Sequence, residues 1–545
     1  MKFIDGKMFR AMIVTGATLL HNNHPEVDAL NVFPVPDGDT GTNMSLTFTS
    51  GANEVERLES DAVGDIAKTL SKGLLMGARG NSGVILSQIF RGVAKSLKGK
   101  ETASSSDLAA AFLQGSKVAY RAVMKPTEGT ILTVIRESSE AASAYVTEDM
   151  EIEDYFSYFV KAASESLDRT PELLPVLKEV GVVDSGGAGL VLVLTGFMSA
   201  IVGEKIERVD VNAEKAKEEA AEKAAGTVEK KDYGYRIEFM LKVEEGKEKA
   251  FNVENFQNEL TRIPGERITI VQDEDIVRCK LYSKKPGHAL NIAQRFGEFL
   301  SVDIENPQVK DEDVKKVDLE EKAPPKDVGV IAVAAGDGIK DQFLSLHCDY
   351  VVAGGQTMNP ATEDLVAAIR KVNAKHVIVL PNNGNIVMTA QTAASVLEGE
   401  IDVIVIPTKS IPQGLSACIM FNPEASLEEN VGEMTEAMQN VKTGQVTFAV
   451  RDTNIDGIEV HANEYMALVN KEIKACVPGK MDALKKSLEG LVDDDSEIIT
   501  LICGQDVTKE EKEEAQTYIA EHFADCECEV IDGKQPVYSF IIGVE

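Results

Sequence analysis

Positive charge is the first thing this chain is short of. Across 545 residues, 56 Lys and Arg stand against 89 Asp and Glu, a formal net charge of −33. So acidic a surface repels phosphate backbones and anionic headgroups, which argues against nucleic-acid binding. Any phosphate bound here must be met through a metal and backbone N–H groups. Cysteine is scarce too: seven residues, none before Cys279, with no CxxC. That excludes a disulfide framework or a structural zinc knuckle and fits buried thiols in a reducing cytoplasm. The pair in "CEC" is expected to split across the two faces of a strand. No apolar run reaches the roughly 18 residues of a membrane span. The longest, "GLVLVLTGFMSAIVG", reads as a buried helix. Asp5 precedes "AMIVTGATLL" and no small-residue cleavage site follows it, so a first amphipathic helix is expected there rather than a signal. No internal repeat is present.

What is there is ordinary globular material, 43% hydrophobic and 27% charged, long enough for two to four domains. Residues 1–208 show apolar positions recurring at three and four, as in "DAVGDIAKTLSKGLLMGA" and "EDYFSYFVKAASESL", which predicts an all-helical domain. A charged tract over 209–232 predicts a linker or a solvated helix. Residues 233–306 alternate strand-like "YRIEFMLKV" and "RITIVQDEDIVRCKLY" with helix-like "HALNIAQRFGEFL", predicting a small α+β domain. A second charged, proline-bearing linker spans 307–327. From 328 to 545, short apolar runs end in Gly-, Asn- or Thr-rich loops and are separated by helical stretches. That pattern predicts parallel strands with crossover helices, and ligands or partners at the strands' carboxyl ends.

Four polar, glycine-bearing loops interrupt the helical domain. In "NVFPVPDGDTGTNM" Asp37 and Asp39 lie one residue apart, with Gly38 and Gly41 expected to let the backbone curl so that both carboxylates face one ion. Hard oxygens in this number suit Mg²⁺, which keeps its waters and takes one or two carboxylates. The plain alternative is a turn with an N-cap aspartate. The rest of a calcium-binding EF-hand loop is missing. In "GARGNSGVILSQ" a glycine-rich turn opens an apolar helix, exposing free N–H groups to an anion. Asn81 and Ser82 are expected to cap that helix and reach phosphate oxygens, with Arg79 adding charge. It is not a Walker A loop, since no Lys-Ser/Thr follows. "VVDSGGAGL", with Asp184 and Gly186, repeats the theme, and "EGTILTV" offers Thr130. Four such interruptions in one domain are hard to explain as unrelated turns.

These four stretches resemble the nucleotide-binding loops of the dihydroxyacetone-kinase L-type domain, an eight-helix barrel. Over its full length the chain resembles the ATP-binding subunit family of bacterial fatty acid kinase, whose kinase domain is followed by a middle domain and a DegV-like C-terminal domain. "VVAGGQTMNPAT", "LPNNGNI", "VKTGQVTFAVRDT" and "DGKQPVYSFIIGVE" carry that resemblance at the C-terminal end. It implies a multidomain fold: a helical barrel, an α+β middle domain and an α/β domain. It also implies a cytoplasmic enzyme of phospholipid metabolism that binds ATP and Mg²⁺, with Asp37 and Asp39 matching the metal-holding aspartates. A fatty acid, presented by a separate DegV-family fatty-acid-binding protein docked on the C-terminal domain, would be phosphorylated on its carboxylate to an acyl phosphate. A homodimer is expected as well.

Within that resemblance, Thr42, Asn43, Gly80, Asn81, Ser82, Gly83, Thr130, Asp184 and Gly186 are the expected nucleotide contacts. The L-type kinases place a further aspartate five residues before the first of the pair. Val32 stands at that position here, so Asn31 serves as third metal ligand only if the loop carries an extra residue. Many relatives also bind zinc in the middle domain. Arg236, Lys280 and Tyr282 stand where their ligands would be, and Cys279 and His288 are out of register, so zinc is not expected. A fatty carboxylate is already ionised at neutral pH, so the absence of a base motif is no obstacle to a kinase of acids. Two other functions remain open: a kinase of small hydroxy-ketones, and a nucleotide- or lipid-sensing regulator without turnover.

Overall fold

The computed structural model describes residues 1–31, 38–209, 235–243, 256, 259–260, 265–273, 276–283, 285–305, 325–355, 358–455 and 457–545. Asp37 lies outside the described residues. So do the two expected linkers, apart from residue 209 and residues 325–327. The chain forms two compact units, Met1–Val211 together with Pro324–Glu545, and Asn212–Ala323.

In the first unit, among the described residues, eight long helices close a ring. They are α1 (Gly6–Asn22), α2 (Thr40–Arg57), α3 (Val63–Met76), α4 (Gly80–Ser96), α5 (Ser105–Ala122), α6 (Ile131–Tyr145), α7 (Ile152–Asp168) and α8 (Ser185–Ile201). Several start at side-chain caps that satisfy orphan N–H groups: Asp5 for α1, a Ser104–Asp107 capping box for α5, Thr130 for α6 and Asp184 for α8. Consecutive helices pack side by side and α8 returns onto α1, which makes the ring a barrel. Its interior is aromatic. Phe9, Phe48, Phe90, Phe112, Phe156 and Phe197 are fully buried and meet edge to face at 5.2–6.4 Å.

The same unit continues in the C-terminal α/β domain. A parallel sheet has the order β8 (Asp402–Val405), β7 (Ala374–Leu380), β5 (Lys326–Ala334), β6 (Tyr350–Ala353). Val330–Ala334 is buried without alternation, as expected of a strand covered on both faces. Crossovers are made by α10 (Asp337–Ser345), α11 (Thr362–Val372) and α12 (Val387–Val396), and α13 (Ile411–Ile419) and α14 (Leu427–Asn440) follow the last parallel strand. A mixed sheet of six strands then runs β11 (Glu472–Val477), β10 (Tyr465–Val469), β9 (Lys442–Phe448), β14 (Tyr538–Val544), β12 (Ile498–Cys503), β13 (Glu527–Asp532). Helices Lys480–Leu491 and Lys509–His522 contribute to its core. Cys526 and Cys528, expected on opposite faces, both pack on this core. Residues two apart along a strand share a face, so the expectation is corrected.

The second unit holds an antiparallel sheet ordered β2 (Gly265–Asp273), β3 (Ile276–Ser283), β1 (Tyr235–Val243), β4 (Gly297–Glu305), with α9 (Pro286–Ala293) adding to its core. Ile237, Phe239, Leu241 and Val243 alternate onto one buried face. The stretch "GEFL", expected to continue a helix, is strand, because pairing with β1 claims its backbone. Cys279 lies in this core, where burial pushes its thiol up to about 12, whereas His288 is exposed on α9.

Candidate nucleotide site

The N-termini of α2, α4, α6 and α8 are neighbours at one end of the barrel. A Cβ on Gly80, which opens α4, would lie 2.8 Å from Asn43 Nδ2 in α2. Gly189 of α8 lies against Met44 of α2, and Gly186 lies against Ile131, which opens α6. Four helix starts that sequence reading found separately therefore share one rim, each offering first-turn N–H groups.

Asp39 occupies the N-cap position of α2, but its carboxylate makes no capping bond. It accepts instead from Nδ2 of Asn359 in the C-terminal domain. Capping is taken over by Asp28, in the short helix His24–Ala29. Thr42 N donates to Asp28 Oδ1 at 3.1 Å and Thr42 Oγ1 to Oδ2 at 2.7 Å. Burial raises the Asp28 pKa, and the Thr42 bonds oppose the rise. Thr42, expected on a phosphate, is thus bound to Asp28 and fixes the loop. Sequence reading missed Asp28 because fourteen residues separate it from its partner and no local period links them.

Gly41 works differently from expectation. Its φ is not positive. Gly41 sits inside α2, where a Cβ would lie 2.2 Å from His24 O and 2.8 Å from Val27 Cβ, so it permits close packing and not a curl. Asn31 is close to Gly38, and its carbonyl accepts from Arg451 of the C-terminal domain.

In the second loop Gly80 has φ +60°, a left-handed conformation that favours glycine, and Gly83 is buried against Thr47. The N-cap is Arg79, without a side-chain cap, so Asn81 and Ser82 lie within the first turn and not at the cap where they were expected. Asn81 Nδ2 donates to Asn385 Oδ1 at 3.2 Å, and Ser82 is half-buried. Arg79 donates to Asn359 O at 2.8 Å and lies 3.7 Å from Asp364.

Thr130 and Asp184 are both helix caps. Thr130 Oγ1 accepts from Leu132 N and donates to Thr127 O. Asp184 Oδ2 accepts from Gly187 N at 2.6 Å, and enclosure pushes its carboxyl up to about 6. Gly186 passes between Asp184 and Ile131.

A cavity of about 750 Å³ reaches this rim, lined by Asn31, Asp39 and Thr40 on one side. Its other walls are the carboxyl ends of β5, β6 and β7, with Lys340, Lys409 and Lys471. The order β8-β7-β5-β6 makes the gap between β5 and β7 the topological switch point, where open α/β sheets gather ligands.

Among the described residues, no three His, Cys, Asp or Glu side chains gather as a metal cluster. The oxygens near Asp39 are of another kind. Asn81 Oδ1 and Asn359 Oδ1 are buried without a hydrogen-bond partner. One carboxylate with neutral amide oxygens fits Mg²⁺, which keeps several waters and needs few protein ligands.

Comparison with known proteins agrees with this architecture. Residues 34–199 match the DAK2 domain family. Residues 232–313 match the FakA-like middle domain of fatty acid kinase, and residues 329–545 the FakA-like C-terminal domain. Protein YloV of Bacillus subtilis is 42% identical over 552 residues, covering 99% of each chain. Uncharacterized protein SERP0792 of Staphylococcus epidermidis is 43% identical over 555 residues, again covering 99% of each. Among solved structures, the DegV family protein Cg2579 of Corynebacterium glutamicum aligns at a TM-score of 0.31 and 14% identity, covering 40% of this chain and 96% of that one. Full-length identity to such relatives, with the kinase-type, middle and C-terminal domains in that order, makes this chain a member of the FakA-like fatty acid kinase family.

Proposed function

We propose that the chain binds Mg²⁺ and ATP at the rim of its helical barrel and transfers the γ-phosphoryl group to a fatty acid carboxylate, giving acyl phosphate and ADP. One observation carries the reading. Asp39 stands at a helix start with its carboxylate released from capping, because Asp28 caps in its place. A turn with an ordinary N-cap aspartate would not need a second aspartate for that task.

In this reading Asp37 and Asp39 hold the metal, with Asn31 beside them. Mg²⁺ supplies charge neutralisation on the phosphates when bound. The N–H groups of Gly80, Asn81, Ser82 and Gly83 face the phosphate oxygens, where the α4 dipole favours negative charge. Asn43 orients the phosphates from α2, Thr42 holds the loop through Asp28, and Thr130, Asp184 and Gly186 form the other side of the same rim. A carboxylate oxygen attacks the γ-phosphorus, the bond to the β-phosphate oxygen breaks, and no proton moves. Positioning is then the main task, which suits a site built from helix starts and no general base.

A net charge of −33 repels a free fatty carboxylate. A separate fatty-acid-binding protein of the DegV kind, docked on the C-terminal domain, overcomes that repulsion. The test is ATP consumption by the purified chain with its lipid-loaded partner, comparing wild type with Asp37→Ala. Loss of acyl phosphate in the variant is expected. Turnover that survives the substitution sinks the metal assignment, turnover only with a hydroxy-ketone replaces the acceptor, and nucleotide binding without turnover leaves a regulator.

A further inference from the structure

Two loops of the C-terminal domain interlock with the nucleotide loops of the barrel, and both leave the carboxyl ends of parallel strands. After β6, Asn359 is 2% exposed. Its Nδ2 donates to Asp39, its carbonyl accepts from Arg79, and nearby Thr362 N donates to Ala78 O at 3.1 Å. After β7, Asn385 accepts from Asn81. The contacts thus fall on "GARGN", which leads into the proposed phosphate-facing turn, and on Asp39, a proposed metal ligand.

An interface serving only to join two domains would satisfy its buried polar atoms. This one leaves Oδ1 of Asn359 and of Asn81 buried and without a partner. Flipping the Asn359 amide is no remedy, since its oxygen would then face the Asp39 carboxylate, acceptor against acceptor. An oxygen held in that orientation, beside a carboxylate, is an acceptor waiting for a donor or a cation.

We propose that the nucleotide site is composite: Asn359 of the C-terminal domain is a positioning residue that fixes the Asp39 carboxylate through Nδ2, while its Oδ1 and that of Asn81 accept from the hydrated cation. The assignment rests on the Mg²⁺ and ATP reading of this rim and adds a residue from outside the kinase-type domain. It also gives "NPAT" a role: Asn359 reaches Asp39 while Pro360 packs against Gly354. Removing a group that orients a metal ligand typically costs about ten- to a hundredfold in metal affinity.

The test is calorimetric binding of ADP to the full chain, with Mg²⁺ and with EDTA, for wild type, Asn359→Ala and Thr362→Val. Asn359→Ala is expected to weaken Mg·ADP binding about tenfold and to leave binding in EDTA unchanged. Thr362→Val removes a bond of the same interlock away from Asp39 and is expected to stay within about twofold, since its hydroxyl bond to Ala78 O is long at 3.4 Å. Unchanged or tighter Mg·ADP binding by Asn359→Ala overturns the proposal. So does an equal loss with and without Mg²⁺, or an equal loss in Thr362→Val, since either reduces the contact to docking. Wild type that binds no Mg-nucleotide overturns the nucleotide reading itself, a result distinct from the others.

Discussion

Gly41→Ala is a small change with a large expected effect. The new methyl would sit 2.2 Å from His24 O and 2.8 Å from Val27 Cβ. Ordinary carbon–oxygen contact needs about 1 Å more than the first of these. Backbone cannot rotate aside as a side chain can, so the start of α2 must part from the short helix His24–Ala29. Overpacking of this kind costs about 1–3 kcal/mol. The two bonds from Thr42 to Asp28 span the same seam, and weakening a bond to a charged group adds about 1.5–3 kcal/mol. A combined loss of roughly 3 kcal/mol lowers the melting temperature of a domain this size by about 6–12 °C. Because Asp39 and Asn43 ride on the displaced helix start, Mg·ATP affinity should fall with stability. Thermal unfolding and calorimetric titration below the transition would be read together. A variant that melts earlier yet binds Mg·ATP as wild type does would refute the claim that the Gly41 seam sets the position of Asp39.

Asp28→Ala should destabilise the barrel by about 2 kcal/mol, the size of a lost cap with a charged acceptor, and lower Mg·ATP affinity without removing any proposed metal ligand; denaturant unfolding and titration check it. Asp184 gives a pH signature. Its carboxyl is raised to about 6 from the usual value of 3.8, so the folded state holds a proton that the unfolded state has released between those values. Its contribution is therefore complete below about pH 3.8 and is lost as pH rises through about 6, a change of up to about 3 kcal/mol. Asp184→Asn should flatten stability over that window; an unchanged pH profile would reject the shift.

Periodicity made the barrel legible, since helices that bury one stripe repeat at three and four wherever they pack. Strand runs ending in polar loops did the same for the parallel sheet. The four loops were also visible one by one, because glycine and capping residues mark helix starts locally. Their meeting on one rim was not visible, and neither were the partners that hold the loops in place. Asp28, Asn359 and Asn385 meet Thr42, Asp39 and Asn81 across 14, 320 and 304 residues of chain, and only the closed ring and the docked sheet bring them there. Gly41 shows the same limit. Its sequence setting suggests a turn, whereas the constraint that demands glycine is a neighbouring carbonyl supplied by tertiary packing.

The central claim is transfer to a carboxylate, and trapping with hydroxylamine reads it most directly. The full chain, Mg²⁺, ATP and a fatty-acid-loaded partner should yield acyl hydroxamate in step with ADP, and Asp39→Ala should abolish both. ADP formed without hydroxamate, or formed only when a hydroxy-ketone is supplied, would contradict the account.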